Sequence, residues 1–192
     1  MSDPAVRITD PHRIRALAHP VRLELMEVLA DGPRTATECA AATGESVASC
    51  SFHLRTLAKY GYIEPATRRG REKPWQVVSA GRDMRPSDDG DPDSVQALGV
   101  MAHVYVEREF DQIRSYVSAI TREPIEWVQA STLFGSHTWA TSDELAELSA
   151  TIQRLTDRFD GRRGDPSLRP PGARPIRVFA AAHVDLAHER RS

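Results

Sequence analysis

The chain has 192 residues and only two cysteines, Cys39 and Cys50, too few for the disulfide framework of a small secreted domain. Both fall in predicted helical segments of one small domain, so reduced thiols are expected. There is no run of roughly 18 apolar residues that could cross a bilayer, and Met1 to Asp10 lacks the basic start and apolar segment of a secretory signal. A cytoplasmic protein is expected. No phosphate-cradling glycine loop, nucleophile elbow or convincing acid/base pair is present, so no enzyme chemistry is assigned and no catalytic residue is named. An overall positive balance is also missing: the net charge is −2, whereas nucleic-acid binders are usually strongly basic.

What is present is an uneven distribution of that charge. From His53 to Arg82 there are seven Lys/Arg against two Asp/Glu, and from Asp83 to Asp111 two against eight. A basic segment is followed directly by an acidic one, so a near-neutral chain can still offer a cationic surface. With 40% hydrophobic residues, the chain can bury a core of ordinary size.

The most specific stretch is Gly44 to Ile63, GESVASCSFHLRTLAKYGYI. Apolar residues at Val47, Cys50, Leu54, Leu57 and Ala58 make a helical stripe that ends at Gly61. The other face carries Ser46, Ser49, Ser51, His53, Arg55 and Lys59, short hydrogen-bonding groups followed by cations. Such a face suits a helix in a DNA major groove beside phosphates. Ser46, Val47, Ala48 and Ser49 occupy the helix start that reaches base edges, while Ser51, His53 and Arg55 are set to touch phosphates or bases.

Upstream, Asp10 and Pro11 open a first helix that must stop before Pro20, because the residue ahead of a proline is pushed out of helical conformation. Pro20 opens a second helix, VRLELMEVLADG, closed by Gly32. Thr35 or Thr37 caps a short third helix, TECAAATG, ended by Gly44. A short helix, a tight Gly-containing turn and a second helix with polar groups at its start make a helix-turn-helix. Downstream, strands at Tyr62 to Ala66 and Pro74 to Val78 flank the turn TRRGREK, with Gly70 at its tip. Arg68, Arg69, Arg71 and Lys73 make this hairpin a cationic wing.

RALAHPVRLELMEVL, TECAAATGESVASCSFHLRTLAKYGYI and RRGREKPWQV together resemble the ArsR-type (arsenic-repressor) family of dimeric winged-helix transcription regulators, over Asp10 to Ser79. The resemblance implies a homodimer on double-stranded DNA, with a near-palindromic operator. It also implies that helices flanking the winged domain pair the subunits. A metal-responsive repressor of the same family and a winged-helix module that holds another protein are the alternatives. Many relatives sense metals, but here only Cys39 stands where the thiolate site has two cysteines. His103 and Glu107 share a helix face, extended by Asp111, without the second cluster of the carboxylate and imidazole site. No metal ligand and no cofactor are therefore assigned.

The expected fold is mainly α with a small β component (α+β). Residues 1–80 form the winged domain, 81–92 a linker and 93–122 a long dimerisation helix, with Leu98, Ala102, Tyr105 or Val106, Phe110, Ile113, Val117 and Ile120 as a seam. Residues 123–192 are read as a strand-helix-strand unit. Its strands are Ser131 to Thr141 and Ile176 to Val184, around a helix capped by Thr141 and Glu144, and typical ArsR-type proteins lack it. His137, Trp139, Phe179 and His183 either line a pocket for an apolar small-molecule effector or pack against that helix.

Overall fold

The computed structural model describes residues 6–68, 70–78, 82–84 and 90–189, which divide into two units, Met1–Ser115 and Tyr116–Ser192. In the first, α1 (Pro11–Leu17), α2 (Pro20–Ala30), α3 (Ala36–Thr43) and α4 (Val47–Lys59) follow one another with short connections. Each start has a side-chain cap: Asp10 accepts from the His12 amide, His19 Nδ1 from Val21, and Ser46 Oγ from Ser49. Prolines fill the first positions of α1 and α2, where a missing N–H costs nothing. At α3 the cap is reciprocal: Thr35 Oγ1 accepts from Glu38 N at 3.2 Å and Glu38 Oε2 from Thr35 N at 2.6 Å. Thr35, of the two threonines offered by the sequence, is therefore the cap. Gly44 ends α3 at φ 75°, a left-handed geometry that suits glycine.

These helices enclose one core. Ile14, Leu17, Leu25, Leu29, Cys39, Cys50, Leu54 and Leu57 are essentially inaccessible, and each large aliphatic among them contributes roughly 1.5–3 kcal/mol through burial. β2 (Ile63–Pro65) and β3 (Trp75–Val77) pair antiparallel, Ile63 opposite Val77 and Pro65 opposite Trp75. A further bridge joins Arg34 to Trp75 and ties the hairpin to the segment before α3.

Two strands were not expected. β4 (Arg82–Met84) lies within the segment read as a linker and pairs in parallel with β1 (Val6–Ile8). The long helix α5 (Pro92–Ala119) then packs on the first unit through Ser94, Ala97, Met101 and Val104. Arg108 continues this face, its Nη2 2.7 Å from Glu27 Oε2 on α2. The predicted seam lies elsewhere on the helix: Ala102, Tyr105, Phe110 and Val117 are exposed and Leu98, Val106 and Ile113 partly so.

The second unit contains α6 (Ile125–Ala130), α7 (Ser142–Arg154) and α8 (Leu186–Glu189). The capping box of α7 forms as its sequence predicts, with Thr141 and Glu144 bonded reciprocally. The two expected strands do not: residues 131–140 and 176–184 have no regular structure. Their alternating patterns specify a face, but neither segment finds a strand to complete its backbone hydrogen bonds. No described residue of this unit is buried. Among the described residues, no helix is long and apolar enough to cross a membrane.

Candidate nucleic-acid interface

The geometry of α4 follows from which of its positions the core claims. Cys50, His53, Leu54 and Leu57 are buried, a helical stripe spaced by three and four. Ala48, Phe52, Arg55 and Lys59 are exposed along the opposite line, with Ser49, Ser51 and Thr56 half-buried at its edges. Two expectations change accordingly. Val47, read as part of the buried stripe and also of the base-reaching start, is 46% exposed, so only its second assignment remains open.

His53 is the larger correction. Expected on the outer face, it is 8% exposed because it sits three residues after Cys50 and four before Leu57. Its ring lies 4.5 Å from that of His19, centroid to centroid, and 5.2 Å edge-to-face from Phe52. Burial pushes the basicity of both imidazoles down, and each cation would also repel Arg22, so neutral rings are favoured. His53 therefore packs the α2–α4 junction and is not available to DNA.

Ser46 also has a prior task, since its hydroxyl oxygen caps α4. Thr56 donates to the Phe52 carbonyl at 3.1 Å, and the half-buried Ser49 and Ser51 supply the other hydroxyls beside the exposed line. The C-terminal end of α4 is fastened to α1: Arg13 Nε donates to the Tyr60 carbonyl at 3.1 Å, and the Tyr62 hydroxyl donates to the Arg13 carbonyl at 2.7 Å.

The wing turn runs beyond β2 with Gly70 at φ 63°, the left-handed conformation its tip requires. Arg68, Arg71 and Lys73 are exposed, while Arg69 lies outside the described residues. Pro65, Ala66, Arg68, Lys73, Pro74 and Trp75 border a shallow cavity of about 220 Å³ at the wing base. Phe52 on the outer face of α4 escaped the sequence reading. Its signal was an apolar residue at i+4 from Ala48, on a line otherwise reserved for small and cationic groups.

Elsewhere, candidate ligands do not assemble. Cys39 is buried, and burial raises its thiol to about 11, which opposes the thiolate needed to hold a metal or undergo oxidation. His103 and Glu107 are exposed on α5. Among the described residues, no group of three or more His, Cys, Asp or Glu gathers as a metal site. In the second unit His137, Trp139 and His183 are exposed and Phe179 only partly covered, so the four expected pocket residues enclose no cavity.

A short two-helix reader followed by a hairpin defines the winged helix-turn-helix class. Residues 17–65 match the model of the helix-turn-helix domain family. The chain is 40% identical over 63 residues to a probable mercury resistance operon repressor of Streptomyces lividans, a match covering 33% of this chain and 50% of that protein. It thus spans about half the length of the curated relative it matches. Two solved structures are also similar. One is a homodimeric winged helix-turn-helix DNA-binding domain from Mycobacterium bovis, a possible ArsR-family transcriptional regulator: 26% identical, covering 50% of this chain and 76% of that one, TM-score 0.33. The other is a possible transcriptional regulator for arsenical resistance, 23% identical, covering 54% and 93%, TM-score 0.32. Residues 17–65 of this chain thus carry a helix-turn-helix domain, with kinship over 63 residues to a probable repressor.

Proposed function

We propose that the chain is a sequence-specific transcription regulator that binds a near-palindromic operator as a homodimer. The observation that carries this reading is the outer line of α4, where Ala48, Phe52, Arg55 and Lys59 are exposed beyond a capped helix start, followed in sequence by a cationic wing. Val47, Ala48, Ser49, Ser51 and Arg55 face the groove. Lys59, Arg68, Arg69, Arg71 and Lys73 meet phosphates. Ser46 holds the helix start in place, and its backbone lies against the strand. The helix-turn-helix family match and the kinship to a repressor support DNA as the partner and repression as the mode.

Pairing of subunits is supported by α5, whose Val95, Phe110 and Val117, within about 60° of one another around the helix, are between 44% and 54% exposed. Apolar side chains in such a row are costly to leave in water and self-complementary across a two-fold axis. Two reading helices would then enter successive major grooves about 34 Å apart.

The test is a salt titration of binding to operator duplex. The five phosphate-facing cations per subunit give at most about ten phosphate contacts and a log–log slope between roughly −4 and −9. Changing Arg68, Arg71 and Lys73 to alanine should flatten that slope by about 3 to 6, counting one or two subunits. An unchanged slope with affinity retained would remove the wing from the interface. A chain that stays monomeric by sedimentation while binding a single half-site would remove the dimer.

A further inference from the structure

We infer that Phe52 is a specificity residue that reads a thymine by packing on its C5-methyl group, one in each operator half-site. The inference rests on the DNA-binding reading above and assigns a base to one side chain of that site. Phe52 is 57% exposed, the most exposed large apolar side chain described in the first unit. It occupies the middle of the outer line of α4, one turn after Ala48 and one turn before Arg55 and Thr56. Its ring meets that of buried His53 edge-to-face, at 77° and 5.2 Å between centroids.

The neighbours narrow what this ring can meet. Ala48 at i−4 is exposed and small, so the helix surface one turn before the ring is apolar and carries no bulky side chain. Thr56 spends its hydroxyl on the Phe52 carbonyl, so the side-chain donors nearest the ring along the helix are Ser49 at i−3 and Arg55 at i+3. In the major groove the only apolar feature of any base edge is the methyl group of thymine. Phosphates and the amino, carbonyl and ring-nitrogen edges of the other bases would instead be desolvated by a phenyl ring without gaining a hydrogen bond. Arg55, on the same line, remains for a guanine edge or a phosphate.

The experiment uses the 192-residue chain and duplexes selected by it from a random pool. Each thymine of the selected half-site is replaced singly by deoxyuridine, which removes only the methyl group. For the wild-type protein one position per half-site should weaken binding about fourfold, the ratio corresponding to about 0.8 kcal/mol for one buried methyl. Replacing both symmetry-related thymines should weaken it about 16-fold, if the two act independently. In Phe52→Ala, whose truncated side chain is exposed, this sensitivity should vanish while the other positions keep their preferences. Phe52→Leu should retain part of it. Binding that is specific but indifferent to every methyl group, or a methyl effect that survives in Phe52→Ala, would overturn the assignment while leaving the regulator reading intact. If no sequence is enriched from the pool, the regulator reading fails, and this inference with it.

Discussion

The two units treat similar raw material in opposite ways. In the first, Ile14, Leu25, Leu54 and Leu57 are fully buried, whereas in the second Leu133, Phe134 and Trp139 are 84–90% exposed. Both contain amphipathic helices with formed capping boxes, at Thr35–Glu38 and Thr141–Glu144. The difference lies in what the apolar faces meet. α3 lies against α2 and α4, and its Cys39 and Ala40 are buried. On α7, Leu145 and Ile152 are only partly covered, and Leu148 and, just beyond the helix, Leu155 are exposed. A cap and a periodic stripe specify that a helix forms and which side seeks cover, while tertiary stability comes from the partner.

The sharpest break of this comparison is a pair of truncations. Leu54→Ala should cost about 2–5 kcal/mol, as a cavity opens in a filled core, and Leu155→Ala no more than about 0.5 kcal/mol. Urea unfolding of both variants decides it. Equal losses would mean that the second unit holds a core of its own.

Next in size are the caps. Thr35→Ala should lower global stability by about 1–2 kcal/mol, since it strips the cap from a helix packed into the core. Thr141→Ala should leave the main unfolding midpoint where it is and reduce only helical content, read by far-ultraviolet circular dichroism.

The smallest effect expected is on pH dependence, and it belongs to the first unit. Burial lowers the pKa of His19 and His53 from the ordinary 6.5, aided at His53 by His19 and at both by Arg22, and opposed by Glu45. The folded chain therefore resists protons that the unfolded chain accepts. Stability should be level above about pH 7 and decline as pH falls below 6.5 towards the lower folded values. His53→Gln should make that decline shallower. A decline of the same steepness in the variant would assign it to other groups.

Much of the winged domain was legible in the sequence because its signals are local. Pro20 marks a helix boundary, Thr35 with Glu38 a helix start, Gly44 a helix end, and Gly70 the tip of a basic turn. Where the outcome depended on contact across the chain, the pattern misled. His53 is polar and sits beside cations, yet its register within α4 delivers it to the ring of His19. Arg82–Met84 lies among Gly, Pro, Ser and Asp and becomes a strand only because Val6–Ile8 runs beside it. The alternation at residues 131–141 shows the converse, a strand-like sequence left without a neighbour. At the candidate site, the exposure of Ala48, Arg55 and Lys59 was legible from residue type and register. Phe52 was missed because an aromatic residue suggests a core position until its phase along the helix is checked.

The fastening of Arg13 to Tyr60 and Tyr62 makes α1 and the far end of α4 a single lever. Any force that tilts the first helix, whether from a second subunit or from a bound molecule, is delivered to a point 47 residues later in the chain. In the proposed complex, the pitch at which Ala48, Phe52 and Arg55 meet the duplex would then be adjusted without altering any residue at the contact.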